Sequence, residues 1–308
     1  MVEIPGARHG ACTRSQAIAA LGDRGVREAI RSGALVPLWP RVLVDGGRLL
    51  RLHTRAAAAV LLAGPGAVLC GRTAASLHGC SAARTATVHV QLPYDRRTRP
   101  QDGLRIHQGP IAEQDVVEID GLPVLMLDLV VSELLCRDDR REALACADQA
   151  VAMRPQPEWA AFRASVQDRL LSRVDRRGTK RAAALLQIVD GRAESPPESW
   201  LRLLVVEAGF PLPDVQHRVL DLDGEPLYRL DLAWPELRIA LEYDGYEAHV
   251  GRAARDAARD EDLARRGWVT VRASATDLRN PVRLLDELSG AFRSRRGPVS
   301  GRRLPAAS

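Results

Sequence analysis

The alternation of apolar and polar positions along the chain predicts three successive blocks of structure. In the first, "TRSQAIAAL" opens at Thr13 with Gln16 three residues on, the spacing of a capping box at a helix N-terminus. Gly22-Asp23 marks a turn, and "RGVREAIRSG" predicts a second helix closed by Gly33. "ALVPLWPRVLVDGG" alternates apolar residues and ends at Asp45-Gly46, a hairpin turn signal. Two short helices followed by a β-wing predict a winged helix-turn-helix over residues 8–47, in which the second helix normally enters the major groove of DNA.

Residues 48–191 carry weaker signals. "HTRAAAAVLLAG" and "GRTAASLHG" read as helices, "ATVHVQLP" and "GLRIHQGP" as strands, and "DGLPVLMLDLVVSELLCRD" as a strand running into a helix, with further helices behind it. The sum is a mixed α/β middle domain. "RAESPPES" (192–199) is polar and proline-paired and marks a boundary. Beyond it, residues 195–292 read as helix, three strands, helix, strand, helix. The last stretch, 293–308, is basic and rich in glycine and proline, which predicts a disordered tail.

Composition narrows the classes. A length of 308 residues allows two or three domains, and the net charge of +5 is compatible with a polyanionic partner without being diagnostic of one. Of the 44 basic residues only Lys180 is a lysine, so a mechanism needing a catalytic lysine has one candidate. The five cysteines are scattered and lack zinc-site spacing, which points to reduced thiols. The start has no apolar signal core, and the longest greasy run is interrupted by Gly-Pro-Gly, so a cytoplasmic protein with no membrane partner is expected. His78, His89 and His107 lie in separate elements without ligand spacing and read as ordinary core or surface residues.

The chemistry concentrates in "RLDLAWPELRIALEYDGYEAH" (229–249). Side chains alternate along strands, so Asp231 shares a face with Ala233, and Glu242 with Ala240 and Asp244. A turn at Pro235-Glu236 pairs the strands and brings Asp231 and Glu242 together. Adjacent carboxylates repel, and one takes up a proton unless a cation intervenes. A hard divalent ion, Mg²⁺ or Mn²⁺, would bind both and serve phosphodiester chemistry. Alternatively, Asp231 and Glu242 pair with Arg229 and Arg238 as surface ion bridges.

Residues 195–292 resemble the PD-(D/E)XK restriction-endonuclease-like superfamily, most closely its branch related to very-short-patch-repair endonucleases. The resemblance rests on "ESWLR", on the 229–249 stretch, and on "DAARDEDLARRGWVTVRAS". It implies a restriction-endonuclease-like α/β/α core, with Asp231 and Glu242 as metal ligands and Glu198 in the outer shell of the metal. Glu198 also completes a capping box with Ser195, which by itself accounts for an acid there. The superfamily's lysine, two residues after the glutamate, is replaced by Asp244, as is usual in this branch, and this leaves the general base open. His249 matches a histidine used near the scissile phosphate, with a loop residue as the alternative. Arg259 and Arg272 either hold phosphate oxygens or pair with Asp256 and Asp262.

Residues 8–190 resemble, more diffusely, the AbiEi-type antitoxin and transcriptional-regulator family, through the Thr13-started winged helix, "LCGRTAASLHGC", "VHVQLP" and "DGLPV". Arg24, Arg27 and Arg31 fall on one face of the second helix, as DNA contacts or as a solvated face. These readings lead to a multidomain α+β and α/β protein acting as a Mg²⁺-dependent DNA endonuclease. The catalytic set is Asp231, Glu242, Asp244, His249 and Glu198. Its rival is a DNA-binding regulator or antitoxin, with a toxin-like protein partner and a catalytically silent nuclease-like domain. A nuclease acting on RNA or repair intermediates is a third reading.

Overall fold

A computed structural model describes residues 3–244 and 253–296 and gives a mixed α/β protein with three sheets among them. The chain divides into two units, Met1–Gln187 and Ile188–Ser308.

In the first unit, β1 (Ala11–Thr13) leads into α1 (Arg14–Arg31). Gln16 N–H donates to Thr13 Oγ1 at 3.2 Å and Thr13 N–H to Gln16 Oε1 at 2.8 Å, so the capping box forms in both directions. Helical geometry breaks at Gly22 (φ 68°, ψ 164°), a conformation that glycine adopts without a steric penalty. The two halves therefore form separate helical segments, and they bury Ala17, Val26 and Ala29 against Leu35 and Leu43.

β2 (Leu35–Trp39) and β3 (Val42–Asp45) pair antiparallel, and β1 joins them in the order β1-β3-β2. Their turn lies at Pro40-Arg41, with Arg41 left-handed (φ 64°), and not at the expected Asp45-Gly46. Asp45 instead caps a short 3₁₀ turn by accepting from Gly47 N–H at 2.9 Å. Gly46 serves a close backbone approach: a Cβ there would stand 2.0 Å from the Gly33 carbonyl oxygen.

The rest of this unit runs α2 (Leu52–Ala63), β4 (Val68–Leu69), α3 (Gly71–Leu77), β5 (Val88–Leu92), β6 (Leu104–Gln108), β7 (Val116–Ile119) and β8 (Leu122–Leu125). Then come α4 (Leu127–Arg137), α5 (Arg140–Ala152), α6 (Trp159–Ser172) and α7 (Thr179–Gln187). The strands form a five-stranded sheet in the order β6-β5-β4-β8-β7. α4 is apolar on most sides, burying Val130, Val131, Leu134 and Leu135, because it packs against α3, α5, α6 and α7 at once. All five cysteines are buried free thiols.

The second unit starts with α8 (Pro196–Glu207), capped by Ser195 with proline at its first turn. β9 (Asp214–Leu220), β10 (Pro226–Trp234) and β11 (Ile239–Tyr243) form an antiparallel meander. α9 (Ala253–Arg265) crosses over to β12 (Val269–Ala273), parallel to β11, and α10 (Val282–Arg296) ends the described chain. The sheet order is β12-β11-β10-β9.

Period-two alternation gives this sheet two faces. Leu232, Trp234, Ile239 and Leu241 bury against Leu201 of α8 and Leu284 and Leu288 of α10. Ala233 and Ala240 turn the other way, against Leu263 of α9. α10 runs to Arg296, four residues beyond the limit at 292, and residues 297–308 of the basic tail lie outside the described residues. Ser195→Ala is expected to lower the stability of this unit by about 1 kcal/mol through loss of the helix cap, readable by urea denaturation. No helix among the described residues is long and apolar enough to cross a membrane.

Candidate active site

The antiparallel register pairs Leu232 with Leu241 and Ala233 with Ala240, and Asp231 and Glu242 are the residues just beyond its last pair. Glu242 carries Arg259 of α9, whereas Asp231 also faces the charge of Glu198 in the first turn of α8. Strict alternation breaks at this point of β10, since Leu230 packs with Ala233 and Ala240 while Leu232 packs on the other face. With Asp244, Asp231 and Glu242 line an open pocket of about 430 Å³, rimmed by Arg229, Arg259 and Arg272. The chain reverses between these strands through a 3₁₀ turn at Pro235–Leu237 and a left-handed Arg238.

Asp231 is held in place by the backbone of the facing strand: Tyr243 N–H donates to its Oδ2 at 2.9 Å. Burial pushes the Asp231 carboxyl up to about 6, and the charges of Glu198 and Glu242 add to the rise against the opposing effects of Tyr243 N–H and Arg259. Glu242 is only 5% exposed. Its partner is neither Arg229 nor Arg238. Arg259 grips it with two bonds, Nη2 to Oε1 at 2.5 Å and Nη1 to Oε2 at 3.1 Å. Arg229 pairs instead with Glu194 at 2.6 Å, and Arg238 donates to the Arg266 carbonyl.

Leu263 anchors α9 on the sheet, and Arg259, one turn earlier, reaches both Glu242 and the Arg229 carbonyl (2.9 Å). Arg272 sits beside Glu242 in the parallel β11–β12 register, with Nη2 3.9 Å from Glu242 Oε2, and is held by Asp260 at 2.7 and 2.9 Å. Asp262 is occupied by Arg265 and Arg266, so pairing of Arg259 or Arg272 with it is not what forms.

Glu198 is buried and saturated. Ser195 Oγ donates to its Oε1 at 2.7 Å, while Glu194 N–H (3.0 Å) and Gln216 Nε2 (2.8 Å) donate to Oε2. Ser195 Oγ accepts from Glu198 N–H at 3.4 Å, so the helix cap forms, but the return bond of a capping box is replaced by bonds from Ser195 Oγ and Glu194 N–H. Glu198 acts on Asp231 through its charge. Gln216, in a left-handed conformation inside β9 (φ 54°), had no sequence signal. Neither had Tyr228, whose ring lies 5.8 Å from the Arg259 guanidinium. Asp244 is exposed at the rim, its N–H donating to the Ala273 carbonyl. His249 lies outside the described residues. In the first unit, Arg24, Arg27 and Arg31 are exposed on the second half of α1 and make no ion pair among the described residues.

Over 258 residues the chain is 34% identical to the uncharacterized protein Rv2248 of Mycobacterium tuberculosis (strain ATCC 25618 / H37Rv), a match spanning 83% of this chain and 91% of that one. The uncharacterized protein MT2308 of strain CDC 1551 / Oshkosh matches to the same extent. The chain belongs to this Rv2248 family. No family model matches it. The crystal structure of the RV2827C protein from Mycobacterium tuberculosis is similar at a TM-score of 0.41 and 18% identity, over 68% of this chain and 83% of that one.

Among the described residues of this Rv2248-family chain, no three or more His, Cys, Asp or Glu side chains are grouped to hold a metal. Two carboxylates nevertheless suffice for Mg²⁺, which keeps several waters and takes substrate phosphate oxygens as further ligands. Burial makes the ionisation of Asp231 costly, a cost that a nearby cation would offset, although Glu242 already shares its charge with Arg259. Asp231 and Glu242 thus fit a hard divalent cation, provided Arg259 yields one oxygen of Glu242.

Proposed function

We propose that the protein is a metal-dependent DNA endonuclease, its C-terminal unit built as a restriction-endonuclease-like core and its N-terminal segment as a winged helix. The observation that carries this reading is that Asp231 and Glu242, on adjacent strands, line one open pocket together with Arg229, Arg259 and Arg272. Asp231 and Glu242 would hold Mg²⁺ or Mn²⁺. When bound, such an ion would activate water and offset the charge that builds on a phosphodiester.

The chain's own residues supply the rest. Tyr243 N–H fixes the Asp231 carboxylate in orientation, and the charge of Glu198 deepens the negative potential at Asp231. Arg259 and Arg272, with planar forked donors, are placed to take phosphate oxygens once a cation relieves their hold on Glu242. The exposed Asp244 stands where the wider superfamily has lysine, available to orient water.

Nicking of supercoiled plasmid in Mg²⁺ or Mn²⁺ tests the reading. Wild type is expected to cut, and Glu242→Ala to lose at least about a hundredfold in rate. No cutting of any DNA form by wild type in either ion would sink it. The bidentate grip of Arg259 on Glu242 favours a second reading, a DNA-binding regulator or antitoxin with a silent nuclease-like unit and a toxin-like partner. Under it, Glu242→Ala leaves every measurable property of DNA binding unchanged.

Both readings assign DNA contact to Arg24, Arg27 and Arg31. Arg27→Ala with Arg31→Ala is expected to weaken duplex binding and to lower the slope of log affinity against log salt by about 2, measured by fluorescence anisotropy across a salt series.

A further inference from the structure

The five-stranded sheet carries a second concave site, independent of the nuclease reading. β5 and β6 pair in parallel with His89 opposite Arg105 and Gln91 opposite His107. The register sets His89, Arg105 and His107 on one face. There the imidazoles stack, with centroids 5.2 Å apart and planes at 24°, and His107 Nε2 lies 3.2 Å from His89 Nδ1. Together with Arg72 at the start of α3 and Glu133 and Arg137 near the end of α4, they line a pocket of about 590 Å³. Gly71 (φ 51°) keeps the approach open, since a Cβ there would meet His89 Nδ1 at 3.0 Å.

The charges in this pocket are unevenly matched. Arg72 is neutralised by two bonds to Asp138, at 2.6 and 2.8 Å, and Arg137 pairs with Asp175 at 3.0 Å. Glu133 is drawn off toward Arg173 at 3.8 Å, and its carboxyl is pushed up by burial. Arg105 has no ion pair among the described residues and stands beside both histidines. Burial holds His89 down to about 4, with the charges of His107 and Arg105 adding to the effect; burial and then Arg105 and Arg137 lower His107. Two neutral imidazoles forced against arginines are groups that an anion would relieve, because a negative charge offsets the cost of protonating them. A soft or borderline metal is the rival occupant of a histidine pair, but no third ligand is grouped with them among the described residues.

We infer that this pocket binds a phosphate monoester of mononucleotide size, with Arg105 and the His89–His107 pair on the phosphate. The volume exceeds what a bare phosphate fills and lies in the range of small-molecule sites. Cys70, Ile106 and Leu134 supply an apolar wall for the rest of the ligand.

The test is calorimetric titration of the full chain with inorganic phosphate and with adenosine monophosphate, each compared with adenosine. The nucleotide is expected to bind, phosphate to bind more weakly, and adenosine not at all. Arg105→Ala, an exposed position on the edge strand that leaves the fold intact, is expected to weaken nucleotide binding by about tenfold or more, as loss of a charge-assisted bond requires. Arg105→Glu should abolish it. Binding should be unchanged in Asp231→Asn, which separates this site from the nuclease pocket. Failure of both phosphate and nucleotide to bind overturns the inference, as does binding that neither Arg105 variant alters. Binding of Zn²⁺ that is lost in His89→Ala, without nucleotide binding, overturns it in favour of a metal site.

Discussion

Asp231→Asn is expected to give a protein that is more stable near neutral pH and cuts nothing. The folded-state value of about 6 lies above the ordinary 3.8, so the folded protein binds more protons than the unfolded chain between those two values. Wild-type stability therefore falls as pH rises through that window, and the full penalty is present above about pH 6. The rise from 3.8 to about 6 corresponds to at most roughly 3 kcal/mol, since solvent reaches part of the group. Asparagine removes the charge and keeps an oxygen for the Tyr243 N–H.

The gain should thus be read at about pH 8 and vanish at about pH 4, by differential scanning calorimetry at both. Mg²⁺ should raise the wild-type Tm at about pH 8, because binding to the native state alone stabilises it, and leave the variant unmoved. Equal Tm differences at the two pH values would remove the physical basis for a charge-hungry site, whatever the cleavage assay shows.

Arg259→Met is expected to be among the most destabilising single changes in the C-terminal unit. It strips the partner from Glu242, whose carboxylate is almost inaccessible, and breaking a buried pair from one side costs about 3–5 kcal/mol. The loss should appear as a lower urea midpoint with an unchanged m-value. Adding Glu242→Gln to Arg259→Met should recover much of it, since no unpaired charge then remains. A double variant as unstable as the single one would mean that Arg259 acts through its packing over Tyr228 and its bond to the Arg229 carbonyl, and not through Glu242.

The two predictions bear on the nuclease reading from opposite sides. Arg259 stabilises the protein by pairing with Glu242, and burial of the Asp231 carboxylate opposes that.

Legibility followed the range of each interaction. The Thr13 and Ser195 caps are written in four consecutive residues, and both form, the reciprocal box only at Thr13. Asp231 and Glu242 line one pocket, as two strands joined by a short turn lead one to expect, although alternation within β10 breaks between Leu230 and Leu232. Asp45-Gly46 misled because a glycine needed for close backbone approach and one needed for a turn look alike in sequence. Arg259 as the partner of Glu242 was not visible, since the crossover helix that brings it there separates them by 17 positions. For the same reason His89 and His107 read as unrelated.

The amino-acid order alone thus specified the helical periods, the caps and the hairpin that carries both acids, because these depend on neighbours within a turn or a strand pair. Folding in three dimensions chose which arginine closes on Glu242, how deeply Asp231 is desolvated, and which two imidazoles stack. Those outcomes depend on how helices and parallel strands are laid over one another, and pair contacts between distant positions leave no period in the chain to be read.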